Sequence, residues 1–337
     1  MKKLKVAVVG AGKIAQIAHL PLLAEREDVE LCAVCDVDQG KARAITEKFN
    51  IPHWYFVIDE MLKKEKPDAI HICTPSVYHY PMSMLALSKG IHVLVEKPIS
   101  FKIEEARKLY EYADQQGRVL MTSLYNRYRS DVQMLRQFVE SGELGEIFYI
   151  KAGWLRRWEK EIHTSWYSEK KSSGGGVLMD MGTQLMDAAL FITGMPKIKK
   201  VRMHAYQLHE NIEVEDAALV ILEAENGMSI TIETSWKMFL EKDTIYTHVF
   251  GRQGSAKLNP LRIHKELHGN LVNVSPVSAT SSRARFKDAY TRQIDTFIKA
   301  VRGENSGRSQ KEDVLEMMRL MEALYTSAAE GREVELS

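Results

Sequence analysis

Over the first 124 residues, short runs that are apolar at every position alternate with segments whose apolar residues recur every three or four. KVAVVG, ELCAVCDV, AIHICTP and HVLVEKP read as strands; KIAQIAHLPLLAERE, ARAITEKFN, MSMLALSKG and EEARKLYEYADQQ read as helices, the first interrupted at Pro21. Strands apolar on both faces and separated by helices predict a parallel sheet covered on two sides. VLMTSLYN continues the rhythm, so residues 1–124 form a doubly wound α/β domain.

The pattern then changes. After the helical SDVQMLRQFVESG come IFYIKAGWL, KKVRMHAYQLH, AALVILEAE, SITIETSWKM and THVFGRQGSAKL. These runs are longer and more alternating, and glycine-containing turns separate them. They predict an open, largely antiparallel sheet in an α+β domain over residues 125–337, closed by the helices AYTRQIDTFIKAVRG and KEDVLEMMRLMEALYTSAAEG. No repeat or low-complexity linker separates the two domains.

Composition narrows the function classes. Forty-six lysines and arginines against 45 acids give no electrostatic reason to expect nucleic acid or an anionic membrane as partner. No apolar stretch approaches the ~18 residues of a membrane span. The basic start MKKLK precedes only VAVV before glycines and Lys13 intervene, and no small-residue cleavage site follows, so a cytoplasmic protein is expected. Few thiols suit a reducing compartment. Cys32 and Cys35 form a CxxC on a strand, where residues three apart point to opposite faces, which disfavours a shared metal or redox bond.

Two motifs carry chemistry. VAVVGAGKIA sets Gly10, Gly12 and Ala15 as G-x-G-x-x-A between a strand and a helix. Gly10 permits the tight turn, Gly12 a close approach to a pyrophosphate, and Ala15 close helix–strand packing; Lys13 and Ile14 open the helix whose amides face the phosphates. Asp36, 24 residues beyond Gly12, ends the next strand, where a carboxylate binds the adenosine ribose. It favours NAD over NADP, although Lys41 or Arg43 could offset its repulsion of a 2′-phosphate. Thr74-Pro75 and Glu96-Lys97-Pro98 lie at two other strand ends, the side of an open α/β sheet where ligands bind. By position alone Lys97 is either a surface charge or a group reaching the reacting centre.

The chain resembles the glucose–fructose oxidoreductase/inositol dehydrogenase (Gfo/Idh/MocA) family over almost its whole length. The resemblance rests on VAVVGAGKIA, ICTPSVYH, HVLVEKPIS, YNRY, GGGVLMDMGTQLMD and EALYTSAAEGREVEL. It implies a Rossmann domain that binds NAD, or NADP, and an open second-domain sheet that often serves oligomer contacts, so a homodimer or homotetramer is expected. It implies sugar or cyclitol substrates, hydride transfer at a secondary alcohol, and a cis bond before Pro98. Lys97 matches the catalytic lysine; Thr74, Pro75, His79, Glu96 and Asn126 match cofactor-lining positions. Asp180 and Asp187 match substrate-contacting acids, and Arg127 and Trp236 match pocket positions.

In GGGVLMDMGTQLMD, Asp180, Gln184 and Asp187 fall at i, i+4 and i+7, one face of a helix. The glycines read as a flexible lead-in to a helix that shows polar groups to a substrate, rather than as a second phosphate loop, which would need its own strand and crossover. A solvated helix face is the bland alternative. Gln184 stands where the inositol dehydrogenase branch has its proton-moving histidine, and a glutamine amide does not titrate near neutral pH. Lys97 is then the expected proton carrier, with a pKa brought down from ~10.4 toward the working pH, and Asp180, His163 or Tyr167 as a relay. WLRRWEKEIHTSWY adds Trp154 and Arg156 as expected substrate contacts, aromatic faces for sugar C–H surfaces and a guanidinium for an acidic or phosphorylated sugar. A loop with inward-packed tryptophans is the competing reading. HKELH lacks zincin spacing, and no metal is expected. Two other functions share the scaffold: a glycosidase that retains its NAD, and a non-catalytic cofactor and sugar sensor.

Overall fold

The computed structural model describes residues 2–159, 166–276, 281–304 and 310–336. The chain divides into two compact units, residues 1–125 with 290–315 and residues 126–289 with 316–337.

Unit 1 is built on six parallel strands: β1 (Leu4–Val9), β2 (Val29–Cys35), β3 (His53–Tyr55), β4 (Ala69–Ile72), β5 (His92–Glu96) and β6 (Leu120–Ser123), in the order β3-β2-β1-β4-β5-β6. That is the Rossmann strand order, whose reversal point lies between β1 and β4. The central strands are apolar at nearly every position because helices cover both faces: Val6, Ala7, Val8, Ile70, Ile72, Val93, Leu94 and Val95 are all inaccessible to solvent. The crossovers carry α1 (Leu20–Ala24), α2 (Gln39–Phe49), α3 (Ile58–Glu65), α4 (His79–Ser88) and α5 (Ile103–Gln115). Asp38 caps α2 by accepting from the Lys41 amide, and Asn50 ends it in the left-handed conformation.

The first helix departs from expectation. Pro21 does not interrupt it; Pro21 sits in the first turn of α1, where its missing N–H is no loss. The irregularity lies one turn earlier, as a π-turn over Ala15–His19. β3 and α3 have no counterpart among the predicted elements, since a three-residue edge strand gives almost no periodicity. Residues 290–315, expected with the second domain, cluster with unit 1 because Tyr290, Gln293 and Phe297 lie on its sheet: Tyr290 against His19, Gln293 on Ser123 and Phe297 against His71.

Unit 2 begins with α6 (Ser130–Glu140) and holds a nine-stranded sheet. The strands are β7 (Ile147–Arg157), β8 (Ile198–Tyr206), β9 (Ala217–Ala224), β10 (Ser229–Met238), β11 (Thr244–Gly251), β12 (Gly254–Leu258), β13 (Arg262–Leu267), β14 (Asn270–Asn273) and β15 (Val334–Glu335). Their order is β14-β13-β12-β11-β7-β10-β9-β8-β15, and every neighbouring pair is antiparallel except β7 and β10. Alternation decides the core: Ile150 and Ala152 of β7, Val220 and Leu222 of β9, and Ile230 and Ile232 of β10 face inward. After a short turn, α7 (Lys170–Ser173), the helix α8 (Thr183–Ile192) packs against that face together with the later part of α10 (Lys311–Glu330). The helix α9 (Ser282–Val301) and α10 each pass from one unit into the other along the chain. HKELH runs along β13 into a hairpin turn at His268 and Gly269. Among the described residues, no helix is long and apolar enough to cross a membrane, and no cluster of metal-ligating side chains occurs.

Gly10 joins β1 to the first helix at φ +90°, and a Cβ there would lie 2.7 Å from the Cys73 carbonyl group and 2.8 Å from the Thr74 nitrogen. Both neighbours are backbone and cannot move aside. At Gly12 a Cβ would meet nothing within 4 Å. Gly10→Ala should therefore cost about 2–4 kcal/mol of stability in a chemical unfolding series, whereas Gly12→Ala should leave the midpoint unchanged.

Candidate active site

In unit 1 the carboxyl ends of β1, β2, β4 and β5 gather the expected cofactor residues. Asp36, just past β2, accepts from the Ala11 amide at 2.7 Å and the Asp38 amide at 2.8 Å. These two bonds fix the carboxylate plane and leave its other lone pairs for a diol. Lys41 Nζ stands 4.0 Å from Asp36, while Arg43 is committed to Glu47 at 3.0 Å. Lys13 and Ile14 are the first helical residues, where amides lack intrahelical acceptors. With the open space over Gly12, this arrangement fits a dinucleotide pyrophosphate and a ribose with free hydroxyls.

His79 is a strut between the other two motifs. Its Nδ1 lies 2.6 Å from the Pro98 carbonyl oxygen and its Nε2 2.9 Å from that of Thr74. Burial pushes the imidazole below its ordinary pKa, against the pull of the two carbonyls. The Lys97–Pro98 bond is cis.

Glu96 ends β5 inside the protein. His19 Nε2 lies 2.9 Å from its Oε1, and His19 Nδ1 lies 2.9 Å from Nδ1 of His71, giving a continuous buried chain of hydrogen bonds. The Tyr290 hydroxyl donates to the same Oε1 at 3.4 Å. Burial alone would raise the Glu96 pKa; the His19 contact, Ser123 and the charge of Lys97 outweigh it and hold the carboxyl below its usual range. Burial and His19 keep His71 well below its ordinary value, hence neutral.

In unit 2 the GGG run is packed tightly. A Cβ on Gly175 would fall 2.0 Å from the Tyr325 hydroxyl oxygen, and one on Gly176 1.9 Å from the Glu215 carbonyl oxygen. The Glu215 carboxylate accepts from the amides of Gly176 (3.0 Å) and Leu178 (3.2 Å) and from the Tyr325 hydroxyl (2.9 Å). These are the first amides of a π-turn over Leu178–Gly182 that leads into α8. Beyond it, Asp180 is exposed and accepts from Trp236 Nε1 at 3.0 Å. Trp236 meets Tyr167 edge-on at 5.3 Å, and Tyr167 meets Trp166. Gln184 is half-buried, its Oε1 accepting from Asn126 Nδ2 at 3.3 Å.

Both units match a known family. Residues 4–124 match the model described as "Oxidoreductase family, NAD-binding Rossmann fold", and residues 132–257 match the GFO/IDH/MocA C-terminal domain. The chain belongs to the GFO/IDH/MocA oxidoreductases. It is an NAD-binding oxidoreductase. A relative from Escherichia coli K12, D-glucoside 3-dehydrogenase, is 31% identical over 99% of this chain and 97% of its own. Among solved structures, myo-inositol 2-dehydrogenase from Lactobacillus plantarum is similar at 19% identity and TM-score 0.85 over 100% of both chains. GenD2 from gentamicin A biosynthesis, solved with NAD, has 24% identity and TM-score 0.87 over 100% of this chain and 97% of its own.

Several residues of this member sit elsewhere than expected. The π-turn breaks the i, i+4, i+7 face, because its i→i+5 bond from the Thr183 amide to the Leu178 carbonyl inserts a residue. Asp187 consequently lies inside unit 2 at 1% exposure and Arg127 at 4%. They pair bidentately, Arg127 Nε at 2.9 and 3.0 Å and Nη2 at 2.5 Å from the Asp187 oxygens. Removing either partner would strand a buried charge at about 3–5 kcal/mol. Arg127 and Asp187, expected as substrate contacts, tie the start of unit 2 to α8. The glycine lead-in is close-packed rather than flexible. Glu96 and His79, expected to line the cofactor, are 8% and 1% exposed and are bonded to His19 and to the Pro98 carbonyl. Asn126 faces Gln184, and its Oδ1 is buried without a hydrogen bond. Thr74 and Pro75 are half-buried at the end of β4. Trp154 packs partly buried on the unit 2 core, Arg156 is exposed on β7, and His163 lies outside the described residues. Cys32 and Cys35 are free and buried, and burial pushes both thiols up to about 12.

Sequence reasoning missed His19, His71, Tyr290 and Glu215. For His71 a signal existed: a histidine inside the fully apolar run AIHIC needs a buried partner. The pH dependence of stability tests this cluster. Because the folded Glu96 pKa is lowered, its stabilising contribution is complete above the ordinary ~4.3 and is lost as pH falls through the folded value. The gap in urea midpoint between wild type and Glu96→Gln should hold constant above about pH 5 and narrow as the pH falls below it.

Proposed function

We propose that this protein oxidises a secondary alcohol of a sugar, or of a related cyclitol or polyol, with NAD as the hydride acceptor. Among sugars we place glycosides first, since the relative at 31% identity is a D-glucoside 3-dehydrogenase. The observation that carries the reading is Lys97 at the carboxyl end of β5: Glu96 on one side is locked by His19, and the Pro98 carbonyl on the other is bound to His79, which also holds Thr74.

Bound NAD supplies the hydride acceptor. Lys97 takes the hydroxyl proton as the carbinol carbon gives up its hydride, and returns it in the reverse direction. Gln184 orients an oxygen without titrating. Asp180, steadied by the Trp236 N–H, accepts hydroxyl hydrogen bonds, and the Trp236 and Tyr167 rings offer apolar faces to sugar C–H groups. Asp36 selects NAD through the ribose diol, with Lys41 as the one nearby cation able to tolerate a 2′-phosphate. Self-association through the outer face of the nine-stranded sheet, which exposes Ile221 and carries the stacked Tyr149 and Phe250, belongs to the same reading.

A second reading, an NAD-retaining glycosidase or a sugar sensor, draws its support from Gln184, a non-titrating amide where the resemblance expects a proton-moving histidine. A cofactor-absorbance screen with NAD or NADP against inositols, aldoses, sugar acids and glycosides separates these. Net reduction of NAD with one class is expected, and Lys97→Met should lower kcat by roughly 10²–10⁴ while NAD affinity stays within a few-fold. Near-normal turnover in that variant would refute the role of Lys97. Sugar release from a glycoside without net reduction would establish the glycosidase.

A further inference from the structure

At the opposite, amino-terminal edge of the unit 1 sheet lies a cleft of about 750 Å³, within the size range of small-molecule sites. The starts of β1, β4 and β5, the turn before β6 and the end of α9 form it. Its lining is strongly basic although the chain as a whole is nearly neutral: seven lysines and arginines, with Asp68 as the one acid. Three of the cations are answered from outside the lining, Lys63 and Lys89 by Asp59, and Arg302 by Asp28. Counting those two acids with Asp68 still leaves four of the seven positive charges without a counter-charge. Among the described residues no acid pairs with Lys2, Lys3, Lys66 or Arg118.

A second observation, independent of net charge, points to an anion. The Val119 amide donates to His92 Nδ1 at 2.9 Å, so that nitrogen carries the lone pair and the proton of the neutral ring is on Nε2. Arg118 Nη1 lies 3.3 Å from the same Nε2. A guanidinium has no lone pair to offer, and two N–H donors cannot bond each other. Burial and Arg118 both keep this imidazole below its ordinary pKa. Arg118 and His92 are thus two adjacent donors in need of one shared acceptor, which a phosphate oxygen supplies with charge as well as geometry.

We propose that this cleft binds a phosphate-bearing small molecule, with one phosphate oxygen shared by Arg118 and His92 and the remaining charge met by Lys2, Lys3 and Lys66. The site is separate from the dinucleotide cradle, which sits at the carboxyl ends of the same strands. Titrating inorganic pyrophosphate by calorimetry into protein saturated with NAD tests it, because the cradle's own pyrophosphate position is then filled. One saturable site is expected, weakened about tenfold or more in Arg118→Met and also weakened in the Lys2→Ala/Lys3→Ala double variant, whose changes at the chain start should leave the unfolding midpoint in place. No saturable binding to the NAD-saturated wild type, or equal affinity in wild type and both variants, would overturn the proposal and leave water as the shared acceptor.

Discussion

A carboxylate buried at the end of a central strand has to be satisfied, and unit 1 is organised around doing so for Glu96. His19 comes to it from the π-turn after the first strand, Ser123 from the last strand and Tyr290 from the helix near the end of the chain. Each contact ties a different part of the sequence to the end of β5. The π-turn follows the Gly10–Gly12 loop, so that loop and the strand end preceding Lys97 are tied to one buried network. Losing one partner of such a pair typically costs 3–5 kcal/mol, far more than a surface ion pair contributes. Unit 2 solves the same problem with Arg127 and Asp187, and again at Asp216, which accepts from the Leu208 amide.

The fold was legible because its strongest signals are periodic. Strands such as KVAVVG and HVLVEKP are apolar at consecutive positions only if both faces are covered, and the alternation of AALVILEAE follows from a sheet with one face inward. Three-residue β3 left no such trace, and the parallel pairing of β7 with β10 depends on chain routing that no local pattern encodes. The allegiance of residues 290–315 was hidden for the same reason: amphipathicity shows that the helix buries a face, not which sheet receives it.

Site residues were legible where the backbone itself is the signal. Gly10 follows from sterics and Asp36 from its distance to that loop. Side chains that work through other side chains were not legible. A π-turn costs a sequence nothing visible, yet at Leu178–Gly182 it separates Asp180 from Asp187 and gives them different tasks. His79 and Glu96, expected to line the cofactor, are bonded to the Pro98 carbonyl and to His19, partners that no local pattern announces.

The central claim is hydride transfer between a sugar carbon and nicotinamide. It is tested most directly by incubating the protein and NAD with a glycoside deuterated at its ring carbons and reading the cofactor by mass spectrometry. The account predicts deuterium on the nicotinamide ring of the NADH formed. Conversion of the sugar with the cofactor unlabelled would contradict it.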